Sequence, residues 1–127
     1  MFNWKRPANL GASSGRFAPC KRSPNCVSSQ ADPADRQHYI APIAFEGGIA
    51  ELRKAIEALP LATVVREEGN YLYAEFRTPI LRFVDDVEFL FSENVVHVRS
   101  ASRLGRRDFG ANRSRVEQLR SYLKPAP

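Results

Sequence analysis

Arg82-Phe83-Val84-Asp85-Asp86-Val87-Glu88-Phe89 and, further on, Val98-Arg99-Ser100-Ala101-Ser102-Arg103-Leu104-Gly105 read as two strands with charged residues set among apolar ones. Burying a charge is costly unless it finds a partner. These stretches therefore predict a specific polar constellation rather than a solvated edge.

Outward from them the pattern is periodic. Strand-like segments fall at 63–67, 71–78, 85–92 and 95–103, with turn chemistry at Glu68-Gly69-Asn70 and Ser92-Glu93-Asn94. Two tight hairpins imply an antiparallel meander. Before the strands, Ile49, Leu52, Ile56 and Leu59 share one helical face, with Glu51, Lys54 and Glu57 opposite, so a helix starts after Gly47-Gly48 and ends at Pro60. After them, Val116, Leu119 and Leu123 mark a second amphipathic helix, capped by Asn112 or by a Ser114/Glu117 capping box. The expected fold is α+β: a four-stranded antiparallel meander, two amphipathic helices on one face, and an extended N-terminal arm. Residues 1–36, with Pro7, Pro19, Pro24 and Pro33 and no amphipathic period, form that arm, frayed before Phe17, and 37–127 form the α+β part of a single domain.

Alternation along the strands selects a polar face. Leu72, Ala74 and Phe76, then Val87, Phe89 and Phe91, then Val96 and Val98 form the apolar side, and the opposite side collects Tyr73, Glu75, Asp86, Glu88, Arg99 and Arg103. One reading is cross-strand ion pairing on a solvated face. Another is that the arm or a partner covers this face and makes a pocket in which Arg99 and Arg103 hold a carboxylate or phosphate. Adjacent Asp85 and Asp86 point to opposite faces and would not share a metal. Asp86 and Glu88 can serve as an acid and base pair, as a shared cation site or, more simply, as partners of arginine.

Two further places carry candidate chemistry. The loop Gly105-Arg106-Arg107-Asp108-Phe109-Gly110-Ala111-Asn112 runs into a helix N-terminus, where Arg106, Arg107 and free N–H groups suit an anion, although it lacks the lysine and hydroxyl of a nucleotide P-loop. Asp108 and Asn112 can equally tie the loop down. Cys20 and Cys26 enclose Lys21-Arg22-Ser23-Pro24-Asn25, a gap unusual for zinc, so a disulfide in an oxidising compartment is the first candidate and a Cys26/His38 nucleophile and base the second. Asn25, Ser28, Ser29 and Gln30 are turn formers. Ser121-Tyr122-Leu123-Lys124 matches a hydrolase spacing with none of its companion motifs.

Composition narrows the class. The 127 residues are 43% hydrophobic and 26% charged, as in a globular domain. The net charge of +5 favours anionic partners, but it rests on 15 Arg against 4 Lys, a skew that a GC-rich coding sequence explains as well as phosphate recognition, so nucleic acid is not the expected partner. No segment is long and apolar enough for a membrane span, no secretory leader is evident, and no motif asks for a cofactor or metal. As written, the chain reads as cytoplasmic, with a periplasmic or lumenal location as the alternative.

The blocks from Cys20 to Gln30, His38-Tyr39-Ile40-Ala41-Pro42, 82–89 and 98–115, in that order, resemble the domain-of-unknown-function family DUF 1499 over roughly residues 17–124. The resemblance implies relatives in bacteria and photosynthetic eukaryotes, often exported, lumenal or membrane-attached. It brings no activity, ligand or cofactor with it. The positions it emphasises are Asp85, Asp86, Glu88, Arg99, Ser100, Ser102, Arg103, Asp108, Asn112 and Arg115. The leading expectation is a small noncatalytic binding or accessory module that holds an anionic ligand or an acidic partner segment through Arg99, Arg103, Arg106, Arg107, Asp86, Glu88 and Asn112. The alternatives are a small hydrolase-like enzyme using Cys26/His38 or Asp86/Glu88, and a structural subunit of a membrane-associated complex docking through Phe2, Trp4 and Phe17.

Overall fold

A computed structural model describes residues 5–105, 108 and 110–124. Eight elements follow in order: β1 (Cys26–Ser28), β2 (Ile43–Ala44), α1 (Ile49–Glu57), β3 (Ala62–Glu68), β4 (Tyr71–Arg77), β5 (Val84–Ser92), β6 (Val95–Ser102) and α2 (Ala111–Leu123). The fold is α+β, with one six-stranded sheet ordered β1-β6-β5-β4-β3 and β2 also paired to β6. Every ladder is antiparallel; a single isolated bridge, Ser28 to Tyr39, is parallel.

The sheet thus has six strands rather than the four expected. The extra two are too short for alternation to reveal them: β1 pairs Cys26 with Ala101 and Ser28 with Arg99, and β2 pairs Ile43 with Val96. They lie end to end along β6 and cover an edge that would otherwise offer open hydrogen-bonding groups.

The core follows strand parity. Leu52 and Ile56 of α1, and Val116, Leu119 and Leu123 of α2, join one cluster with Leu72, Ala74, Phe76, Val87, Phe89, Val96 and Val98. Each such fully buried side chain contributes about 1.5–3 kcal/mol. A second cluster lies on residues of the opposite parity, Tyr71, Tyr73 and Leu90, and is closed by Phe17, with Leu10 and Ala12 packed against it. The arm is therefore not frayed before Phe17 among its described residues. It is packed on the sheet because the two tyrosines and Leu90 offer it apolar surface.

Helix ends also differ from expectation. α1 stops at Glu57, short of Pro60, and Glu51 accepts the Gly48 N–H at its start. α2 is capped by Gly110, whose φ of 79° suits glycine, and Asn112 lies inside the first turn rather than at the cap. The capping oxygen comes from Asp108 instead, which accepts N–H groups from Gly110 (2.9 Å) and Asn112 (3.1 Å).

Candidate functional site

Register places the charged residues. Glu75 faces Asp86 across β4–β5, and Glu88 faces Arg99 across β5–β6, while Asp85 sits opposite Ser102. The polar positions singled out in the sequence consequently split into two networks, one on each face of the sheet.

On the arm side, Arg103 binds Asp86 through two nitrogens (2.6 and 3.2 Å) and Glu75 through one (2.9 Å), and Tyr73 donates its hydroxyl to Asp86. Arg6, from the arm, also reaches Glu75 at 2.8 Å. The hydrogen bonds to Asp86 hold the Arg103 guanidinium charged well above its ordinary range. Burial alone would push Glu75 up, but Arg103 and Arg6 pull it below the usual carboxylate range. Tyr73 is pushed up by burial and by the Asp86 carboxylate, so its proton stays on. These five residues form a paired network.

Arg99 is different. It is 6% exposed, its Nη1 stands 3.5 Å from Glu88 Oε2, and its Nη2 meets the Pro19 carbonyl at 3.4 Å. Its Nε and Glu88 Oε2 have no hydrogen-bond partner among the described residues. Burial drives its pKa down more than Glu88 and Asp86 raise it. Glu88 is fully buried and spends its other oxygen on Tyr71 Oη (2.6 Å) and the Gly11 N–H (2.8 Å). Gly11 has a φ of 116°, a conformation open to glycine, which lets the backbone N–H turn down onto the carboxylate.

A cavity of about 390 Å³ opens beside Arg99 and Arg103. Its walls come from residues 7–9 of the arm, from Lys21, Asn25 and Cys26 of the disulfide loop, and from Asp86 on the sheet. Cys20 and Cys26 are joined in a disulfide with Cα atoms 5.7 Å apart. Three cations against one carboxylate make the lining net positive, and Asp86 is already paired to Arg103.

On the helix side, Arg115 pairs with Asp85 at 2.6 Å, and fully buried Asn112 accepts from Ser100 (2.6 Å) while donating to Asp108 (2.7 Å), Ser102 (2.8 Å) and the Asn25 carbonyl (3.2 Å). Burial raises Asp85 despite Arg115. Burial would also raise Asp108, but its bonds to Asn112 and Gly110 bring it below the ordinary range. The helix N-terminus proposed as an anion cradle therefore holds the chain's own carboxylate, Asp108, and Asn112 stands apart from the cavity. Arg106 and Arg107 lie outside the described residues.

Cys26 carries no thiol to act as a nucleophile. Nor is His38 a base beside it: its Nδ1 bonds Asp35 (2.8 Å) and its Nε2 bonds the Ser23 carbonyl (2.9 Å). Two acceptors ask for two ring protons, and although burial opposes charge, Asp35 and Ser23 raise the His38 pKa above its ordinary value. Phe17 is buried, so it offers no docking patch, and Phe2 and Trp4 lie outside the described residues. Among the described residues no group of three or more His, Cys, Asp or Glu is placed to hold a metal ion, and no helix is long and apolar enough to cross a membrane.

Several contributors escaped sequence reasoning. Lys21 was visible only as a residue between two cysteines, and Arg6 and Gly11 carry no pattern that would link them to Glu75 and Glu88, whereas alternation puts Tyr71 on the face of Tyr73 and Glu75. The turn formers tie the arm down: Gln30 accepts the Phe17 N–H (2.7 Å), and Ser29 accepts the Val98 N–H (2.9 Å) while meeting His97 Nδ1 at 3.0 Å.

The family model described as "Protein of unknown function (DUF1499)" matches residues 16–123. No curated protein and no solved structure matches the chain.

Proposed function

We propose that this chain, which belongs to the DUF1499 family, is a noncatalytic binding module whose cavity between arm, disulfide loop and sheet takes a small anionic ligand. The observation that carries the reading is Arg99: a buried guanidinium that lines the cavity, with a 3.5 Å ion pair, a 3.4 Å bond to the Pro19 carbonyl and an Nε unpartnered among the described residues. A buried donor left unpaired costs about 1–3 kcal/mol, a cost that a ligand oxygen relieves when the Arg99 side chain turns its enclosed Nε toward the cavity. Lys21 at the rim and Arg103 beside it add charge of the right sign.

The enzymatic readings have less support. The disulfide removes Cys26 as a nucleophile, and Asp86 and Glu88 are each occupied by hydrogen bonds within the protein. The disulfide also favours a periplasmic or lumenal compartment over the cytoplasm, because such bonds persist where thiols are not kept reduced.

A thermal-shift panel of phosphate, sugar phosphates, dicarboxylates and fatty acids tests the proposal, since a ligand bound only by the native state raises the melting temperature. One anion class is expected to raise it, less so at high salt, and Lys21→Glu, at an exposed position, should abolish the shift without lowering the unliganded melting temperature. No shift from any anion, or a shift unaffected by Lys21→Glu, would refute it.

A further inference from the structure

The loop between β4 and β5 is closed at its base and apolar at its tip. Thr78 N–H donates to the Phe83 carbonyl (2.9 Å), Phe83 N–H donates to Thr78 Oγ1 (2.9 Å), and Arg82 N–H donates to the Thr78 carbonyl (3.2 Å). This base holds Ile80 90% exposed and Leu81 60% exposed, while the next exposed large apolar residue, Tyr122, reaches only 49%. Arg82 takes a φ of 58°, a conformation that strains a non-glycine residue and that the turn imposes. Two adjacent aliphatic side chains are thus pushed into solvent by a hydrogen-bonded frame, where leaving them buried would have been the cheaper arrangement.

Cations outnumber acids around this tip. Arg82 is in the loop and Arg77 begins it; Arg6 joins Arg77 on Glu75, two residues before the loop, and brings Lys5 to the same end. Glu75 is the one carboxylate these cations share, and it is also bound by Arg103. The antiparallel register puts the β3–β4 and β5–β6 turns at the opposite end of the sheet, and there Glu67 and Glu68 are paired to Arg53 and Arg66 while Glu93 stands in the second turn. The aliphatic tip therefore sits among cations, whereas the far end of the strands mixes acids with their arginine partners.

We infer that this end docks on an anionic lipid bilayer surface, with Ile80 and Leu81 entering the interfacial layer and Lys5, Arg6, Arg77 and Arg82 meeting lipid phosphates. The pairing of a small apolar insertion with a basic surround is the arrangement that gives reversible attachment to charged membranes. A protein partner would need a surface that matches the tip in shape; a bilayer needs only apolar depth and negative charge, which is what this end complements.

The test is flotation of the whole chain with vesicles of phosphatidylcholine alone or mixed with phosphatidylglycerol. The chain is expected to float with the mixed vesicles at low salt and not with the neutral ones. Ile80→Asp with Leu81→Asp, at positions too exposed to affect folding, should weaken flotation by about tenfold or more, and Arg82→Glu should also weaken it. In a Trp4→Phe background, Ile80→Trp should shift its emission to the blue on mixed vesicles. No flotation with mixed vesicles, equal flotation of the double variant, or an emission that stays at the aqueous position would overturn the inference and leave the tip to a protein partner.

Discussion

Arg99, on β6, and Arg103, just past its end, stand four positions apart and line the same cavity, yet they are held very differently. Arg103 has short bonds to two carboxylates; Arg99 has a 3.5 Å pair and an idle Nε. Removing Arg103 leaves Asp86 and Glu75 buried without their main counter-ion, so Arg103→Met should cost about 3–5 kcal/mol in urea unfolding. Arg99→Met should cost less than half of that, because the lost pair is long and the desolvation of a guanidinium is relieved; equal costs would show that the two arginines do the same job. His38 makes a pH prediction. Its pKa is raised on folding, so its contribution is fully present below its unfolded value and is lost as pH rises through the folded one. Burial and Arg16 lower His97, which works in the opposite sense. Substituting His38→Gln alone should therefore remove a fall in stability as pH rises above the ordinary histidine range, visible as a flatter or rising melting temperature there.

At the scale of elements, β4, β5 and β6 were legible because each carries a period of two with one apolar side, and parity then assigned every charge to a face. That parity puts Glu75, Asp86, Glu88, Arg99 and Arg103 on one side, where the register has Glu75 facing Asp86 and Glu88 facing Arg99. It could not find β1 or β2, which have three and two residues and borrow their pairing from β6. The start of α2 was misjudged for a related reason. Asn112 has the chemistry of a cap, but Asp108 supplies the capping oxygens, and Asn112 is free to become the hub between β6, the Asn25 carbonyl and the loop. Asn112→Leu should cost about 3 kcal/mol by leaving Ser100, Ser102 and the Asn25 carbonyl unsatisfied. Asp108→Ala should cost about 1 kcal/mol, the usual loss of a helix cap. If Asn112→Leu cost no more than Asp108→Ala, the hub would be an ordinary first-turn residue.

Across the whole molecule, the candidate site is an assembly of parts remote in sequence: the arm at 7–9, the disulfide loop at 20–26 and the sheet at 86–103. No local pattern announces such a meeting, because the arm contributes single contacts such as Arg6 to Glu75 and Gly11 to Glu88 rather than a periodic face. The disulfide fixes the middle part. By the chain-entropy estimate, closing a loop this short stabilises by roughly 2 kcal/mol, so reduction should lower the melting temperature by several degrees and weaken any ligand-induced shift. An unchanged melting temperature in reductant would mean that the loop is held without it. The central claim is that Arg99 waits for an anion, and its Nε–H can be watched directly. In a proton–nitrogen NMR spectrum of the arginine Nε region, with the Arg99 signal assigned by its loss in Arg99→Lys, the anion class that raises the melting temperature should move that signal downfield in proportion to occupancy and leave Arg120, on the far side in α2, in place. An Arg99 signal that stays put while the anion binds would place the ligand elsewhere and contradict the account.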